Sequence, residues 1–287
     1  MLPDDIELSS PGSRLATGEL STVDAAELAA LKAQIEDRAN FRCNGYKERC
    51  LRRRIAVRMR ARRVHSYAEY GELLERDPEE YRQLVNAITI NVSKFFRNTE
   101  VWTLLAQDVI PRLVALDADR IGIWSAGAAA GEEIYSVAML LLEHAERENI
   151  GLHRFHLLGT DIDRATLEDA RRAEYGAFAL TETPYALRQR WFEGPQLTRV
   201  RREVRDLVRF SALDLISDPY PTDQHLILCR NVVIYFERPV QQAVFRQFHH
   251  ALAPGGYLLL GKVEALFGEA MHGFRMVVGR DRLFQKQ

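Results

Sequence analysis

The 287-residue chain reads as an α/β protein in two parts, a helical amino-terminal domain and a domain built on a parallel, doubly wound sheet. Three observations predict this. Over the first ninety residues the apolar positions recur only at helical spacing. Beyond Pro111, short apolar runs of strand length alternate with helix-like stretches. That rhythm is interrupted over 175–206, which predicts a small β-rich insertion.

Residues 1–20 are rich in Ser, Gly, Pro and acidic residues and predict a disordered arm. The helical domain is expected over 21–90. Ser21-Thr22-Val23-Asp24 opens a helix to about Arg38, with Leu28, Leu31 and Ile35 near helical spacing. A second helix spans 46–63, with Leu51, Ile55 and Met59 at i,i+4. Ser66 to Leu74 and Pro78 to Ile90 complete the set. Residues 91–119 are expected to be a linker, and 120–287 the sheet domain. Its strands are Ile121 to Ser125, His156 to Thr160, Leu207 to Phe210, His225 to Cys229, and Tyr257 to Leu260 after Pro254-Gly255-Gly256, with a helix from Glu132 to Arg147.

Hydrophobic residues at 47% and charged residues at 28% are those of a globular chain with a real core. There is no run of eighteen apolar residues, so no membrane insertion is expected. The acidic start, MLPDDIELSSPGS, lacks the regions of a signal peptide, and a cytoplasmic location follows as the expectation. Cys43, Cys50 and Cys229 form no CxxC pair and the histidines are scattered, so neither a disulfide framework nor a metal site is expected. The net charge of −1 hides an asymmetry. Residues 1–40 carry eight acids against three bases, and 41–63 carry ten bases against Glu48 alone. A local basic patch in a near-neutral protein predicts an acidic partner.

Four segments carry candidate chemistry. Ser125-Ala126-Gly127-Ala128-Ala129-Ala130-Gly131-Glu132-Glu133 lies between a strand and a helix. It reads either as a tight turn with glutamates favoured by the helix dipole, or as a site where small residues let a ligand approach the backbone. A dinucleotide site would show G-x-G-x-x-G; paired carboxylates instead suit a cationic ligand such as S-adenosylmethionine, with its ammonium and sulfonium. Asp161 ends the second strand, where an acid holds ribose hydroxyls; the competing role is a helix N-cap, open to Asp161 or Asp163. Asp214-Leu215 follows the next strand, at the position of an adenine or as a solvated turn. Arg230-Asn231 follows the fourth strand at the carboxyl edge, and Tyr235, four residues on, would share a helical turn and a cleft with Asn231.

Together with Asn91-Val92-Ser93-Lys94-Phe95-Phe96-Arg97, these segments resemble, in order and spacing, the CheR-type chemotaxis receptor protein-glutamate O-methyltransferases over residues 20–285. The resemblance implies a Rossmann-like class I S-adenosylmethionine-dependent methyltransferase domain after an all-helical one, with an antiparallel β-subdomain inserted at 175–206. It implies methyl transfer from S-adenosylmethionine to glutamate side chains of chemoreceptors, giving methyl esters and S-adenosylhomocysteine. By motif position, Arg97 and Tyr235 would serve catalysis. Asn91, Ser93, Arg97, Gly127, Glu132, Asp161, Ile162, Asp214, Leu215, Arg230 and Asn231 would form the cofactor pocket. The partner would be the cytoplasmic helical domain of a chemoreceptor, met by the basic helix 47–63 and by the β-subdomain, with no nucleic acid and no metal. Charge reversal at Arg53, Arg54 and Arg58 would then raise the receptor KM. The chain departs from the family pattern at Ala128 to Ala130 and Ile134, and in Gly261-Lys262-Val263-Glu264, where the family has Gly-His-Ser-Glu. Two other readings compete, a methyltransferase for another acceptor and a degenerate S-adenosylmethionine-binding signalling module.

Overall fold

A computed structural model describes residues 19–39, 41–89 and 92–287. The expected arm therefore lies outside the described residues up to residue 18, as does Asn91. The chain divides into two units, one of residues 1–90 with Tyr235–Glu237, the other of Asn91–Ile234 with Arg238–Gln287.

The first unit contains helices α1 (Thr22–Ala39), α2 (Glu48–Arg62), α3 (Tyr67–Arg76) and α4 (Pro78–Thr89). Ser21 and Asp24 exchange hydrogen bonds at the start of α1, and the Ser66 hydroxyl accepts from Glu69 N–H at the start of α3. The core is the inward stripe of each helix: Leu28, Leu31 and Ile35, then Leu51, Ile55 and Met59, then Tyr70 and Leu74, then Leu84 and Ile88. At its centre lies Glu80, fully buried. Arg58 donates to both carboxylate oxygens (2.9 and 2.7 Å), Arg62 to one (3.0 Å) and the Tyr70 hydroxyl to the other (2.7 Å). The basic run on α2 is therefore not one solvated face. Arg52 is buried, Arg58 and Arg62 are committed to Glu80, and Lys47, Arg49, Arg53, Arg60 and Arg63 are exposed.

The second unit is an open sheet in the order β5-β2-β1-β6-β7-β9-β8. The strands are β1 (Ile121–Ala126), β2 (Phe155–Asp161), β5 (Val208–Ala212), β6 (Gln224–Cys229), β7 (Leu252–Leu260), β8 (Phe274–Val278) and β9 (Leu283–Lys286). The first five are parallel; β9 runs antiparallel to β7, and β8 to β9. Strand order reverses between β1 and β6, so the carboxyl ends of β1, β2 and β6 flank a switch point. β1 and most of β6 are buried on both faces, which explains their unbroken apolar runs. Helices α7 (Glu132–Glu148), α8 (Arg164–Arg172) and α11 (Arg238–Ala251) connect the strands.

Three features differ from the sequence reading. The antiparallel pair β8–β9 was not expected; its strands mix Arg, Gln and Lys with apolar residues, as sheet edges do. The insertion at 175–206 is only minimally β: β3 (Phe192–Glu193) and β4 (Arg199–Val200) pair over two residues each, beside helices α9 (Tyr185–Trp191) and α10 (Arg202–Arg205). Much of 91–119 is helical, in α5 (Thr99–Leu104) and α6 (Ile110–Val114), joined by a π-helical turn. Pro111 lacks the N–H that an α-helical register would use, which accounts for the wider turn before it. Among the described residues no helix is long and apolar enough to cross a membrane.

Burial alone would push the Glu80 carboxyl up, but the hydrogen bonds from Arg58 and Tyr70 and the charges of Arg58 and Arg62 hold it below its ordinary value. A depressed carboxylate stabilises the fold above its unfolded pKa of about 4.3, and that contribution is lost as pH falls through the lower folded value. Glu80→Ala should cost about 3 kcal/mol at pH 7 and progressively less as pH falls below about 4.3 and through that lower folded value, read by thermal unfolding across pH.

Candidate active site

The carboxyl edge of the sheet gathers most of the segments singled out in the sequence. Gly127 takes φ 77°, and a Cβ there would lie 2.4 Å from Val232 Cγ2, so the loop after β1 requires glycine for both conformation and space. Gly127 and Ala128 N–H both donate to the Thr160 carbonyl at 2.8 Å. Ala129 sits at φ 48°, and its N–H donates to Asp161 Oδ2 at 2.9 Å.

Asp163, not Asp161, caps α8: its carboxylate accepts from Ala165 and Thr166 N–H. Asp161 is left facing the loop, accepting from Ala129 and Asp163 N–H, with the Ile162 N–H adding to this set and acceptor capacity still available. Burial raises its carboxyl to about 6, against the backbone N–H donors. Ile162 follows, half-buried.

The two glutamates of the loop separate in role. Glu133 accepts from the Ser125 hydroxyl (2.9 Å) and from Arg230 Nη1 (3.3 Å), an ion pair with side chains 11% and 4% exposed. Glu132 is also buried, yet its Oε2 has no partner among the described residues. Burial, with the neighbouring Glu133 charge adding to it, raises the Glu132 carboxyl to about 7, against its own backbone N–H. Arg230 Nε is likewise buried without a partner. An orphan acceptor and an orphan donor at the mouth of a helix suit a zwitterionic amino-acid group, and the paired carboxylates suit a cation.

Arg230 also donates through Nη2 to the Arg97 carbonyl (2.9 Å) and to Asn98 Oδ1 (3.0 Å). It thereby fixes the turn that follows the two phenylalanines. Phe95 packs edge-on against Tyr175 and Phe192, and Phe96 against Trp102. Lys94 and Asn98 N–H both reach Glu182. Phe96 (φ 53°) and Asn98 (φ 63°) are left-handed, a conformation that a bulky side chain holds only when its surroundings impose it. Ser93 and Arg97 are half-buried, and the Arg97 guanidinium has no hydrogen-bond partner among the described residues. Its charge opposes the rise of the Glu133 carboxyl.

The remaining residues fall as follows. Asp214 is buried but turned into its own turn, accepting from Ile216 N–H and the Ser217 hydroxyl, with Leu215 buried beside it. Asn231 (φ 62°), two residues past the end of β6, is in the left-handed region, so it does not share a helical turn with Tyr235. Val233–Tyr235 is instead a separate 3-10 turn, and the Tyr235 carbonyl accepts from Lys47 N–H within the first unit. Glu264, which the sequence analysis quotes only within Gly261-Lys262-Val263-Glu264 and gives no role, accepts from the backbone N–H groups of Asn231, Val232 and Gly261.

Removing Arg230 would leave Glu133 buried and uncompensated. Arg230→Met should destabilise by about 3–5 kcal/mol in thermal unfolding, and adding Glu133→Gln should recover part of that. A single variant that melts like the wild type would deny the pair its structural role.

Comparison with known proteins gives the same outline. Residues 26–89 match the family described as CheR methyltransferase, all-alpha domain, and residues 91–282 the one described as CheR methyltransferase, SAM binding domain. The chain is 35% identical over 231 residues to chemotaxis protein methyltransferase 2 of Pseudomonas aeruginosa, covering 78% of this chain and 80% of that one. It is 32% identical over 229 residues to the chemotaxis protein methyltransferase of Listeria innocua, covering 79% and 86%. It is also 33% identical over 279 residues to an uncharacterized 104.1 kDa protein of Rhodobacter capsulatus, covering 95% of this chain but only 29% of that longer protein. The chain belongs to the CheR methyltransferase family, with the family's all-α domain followed by its S-adenosylmethionine-binding methyltransferase domain.

Proposed function

We propose that this protein transfers the methyl group of S-adenosylmethionine to glutamate side chains of chemoreceptors, forming glutamyl methyl esters. The observation that carries the reading is the buried, partnerless carboxylate oxygen of Glu132 at the glycine loop, beside a buried Asp161 with acceptor capacity to spare. Glu132 would hold the ammonium of the methionyl group, Arg230 Nε its carboxylate, Asp161 the ribose hydroxyls, and Gly127 the close backbone approach. Ile162, Leu215 and Asn231 would line the pocket, and Asp214 would support it by closing its turn. When bound, S-adenosylmethionine supplies an electrophilic methyl carbon on a sulfonium.

The chain needs no general base, because an acceptor glutamate is already ionised at pH 7. Its work is to orient that carboxylate and exclude water. Arg97, with a guanidinium free of hydrogen-bond partners among the described residues, would steer the carboxylate through charge-assisted hydrogen bonds, with Ser93 beside it. The carboxylate loses its charge as the ester forms, so an arginine that gripped it too firmly would oppose the reaction.

Five exposed bases on and beside α2, Lys47, Arg49, Arg53, Arg60 and Arg63, support docking of an acidic receptor helix. Arg58 is a poor probe of that contact, since it holds Glu80. The β3–β4 hairpin, two residues per strand, offers a second but small surface.

Transfer of radiolabelled methyl to chemoreceptor cytoplasmic fragments, released as methanol by mild base, tests the function; label stable to base would indicate another acceptor. Arg97→Ala should lower methyl transfer about hundredfold while changing the S-adenosylhomocysteine Kd less than about threefold; equal losses would remove Arg97 from its role. Arg49→Glu with Arg53→Glu should raise the receptor KM and leave that Kd unchanged. Cofactor affinity should also depend on pH. With its carboxyl at about 7, Glu132 must shed a proton to meet a cation below that pH. The S-adenosylhomocysteine Kd should therefore rise as pH falls below 7, approaching about tenfold per unit, and Glu132→Gln should flatten that limb.

A further inference from the structure

The loop after β7 carries Gly261-Lys262-Val263-Glu264, whose ends and middle have different surroundings. Lys262 and Val263, where the chain departs from the family pattern, are exposed, and Lys262 pairs with Glu100 at 3.2 Å. Glu264 is 2% exposed and turned back under the end of β6. Its Oε2 accepts from the N–H of Gly261 (2.7 Å) and Asn231 (2.8 Å), and its Oε1 from the N–H of Val232 (2.9 Å). The Ile234 N–H adds to this set. A Cβ on Gly261 would lie 2.7 Å from Glu264 Oε2 and 2.9 Å from Asn231 N, so glycine is what lets the carboxylate reach the turn.

This carboxylate replaces a missing structure. Asn231 is left-handed, and the chain from Asn231 to Ile234 turns away from β6 without sheet partners for these N–H groups. Backbone N–H groups away from water must be paired, and one ionised carboxylate can accept several of them. The turn so held bears on the cofactor loop, because Val232 is the side chain that occupies the space a Cβ on Gly127 would need.

We infer that Glu264 is a positioning residue for cofactor binding: it fixes the left-handed turn at Asn231 and seats Val232 against the glycine loop at Gly127. It touches neither cofactor nor acceptor and acts through Asn231 and Val232. The inference rests on the cofactor reading above only for its effect on affinity; the effect on the turn stands apart from it.

Glu264→Gln keeps the shape but sets an amide N–H₂ where N–H donors converge. In the full chain without cofactor, amide exchange at Asn231 and Val232 should quicken at least about tenfold, while Ile227 and Leu228 within β6 keep their wild-type rates. The S-adenosylhomocysteine Kd, measured by calorimetry well below the melting temperature, should rise about tenfold. Glu264→Asp, which keeps the charge but withdraws it by one methylene, should fall between, and it serves if the glutamine variant does not fold. Unchanged exchange at 231–232 overturns the clamp. Faster exchange with an unchanged Kd overturns its link to the cofactor. A wild-type protein that binds no S-adenosylhomocysteine would instead count against the cofactor reading, with exchange still deciding whether Glu264 holds the turn.

Discussion

The site is organised around one buried ion pair, Glu133 with Arg230. Two charges taken out of water are costly unless each is paired and hydrogen-bonded, and here that requirement draws separate parts of the chain together. Glu133 ties the start of α7 to Ser125 on β1. Arg230 ties the end of β6 to the Arg97 carbonyl and Asn98, and lies over the Trp102 ring. The second glycine-loop glutamate, the arginine after the phenylalanines and the end of β6 are tied together by a pair in which both carboxylate oxygens are engaged.

Against the Glu133 carboxylate, which is hydrogen-bonded at both oxygens, Glu132 stands out by an oxygen with no partner among the described residues. A carboxyl held up to about 7 is one whose charged form the fold disfavours. Ionising it costs stability progressively as pH rises from the unfolded value of about 4.3 to the folded one, and a bound cation relieves the cost. The same logic applies in milder form to Asp161, which the backbone N–H groups of Ala129, Ile162 and Asp163 already support. A site that meets a positive ligand with prepaid desolvation gains selectivity over neutral ones.

Much of this was legible in the residues. The strands of the parallel sheet appear as apolar runs because both faces are covered, and the helices of the first unit appear through Leu28, Leu31, Leu51 and Ile55. The edge strand β8 and its neighbour β9 were not legible, since β8 leaves Arg275, Met276 and Val277 exposed in succession and shows no alternation. At the candidate site, Gly127, Glu132, Asp161 and Arg230 were singled out by their places after strands, and the fold brings them to the carboxyl edge of the sheet. The choice between Asp161 and Asp163 as helix cap was not; it turns on which carboxylate meets Ala165 and Thr166 N–H. The role of Glu264 was not legible for a related reason: two of its partners, Asn231 and Val232, lie some thirty residues away, and accepting backbone N–H leaves no mark in sequence. The helical turn expected to join Asn231 and Tyr235 fails because a left-handed residue breaks it.

The helix α2 carries two kinds of arginine. Arg52, Arg58 and Arg62 answer to the interior, to burial and to Glu80, and any change in them is felt by the fold. Arg49 and Arg53 answer to nothing inside it. Because the helical repeat assigns these duties to different faces, the outer face can be rewritten, charge by charge, without renegotiating the inner one. Such a surface can follow a drifting partner while the scaffold beneath it stays the same.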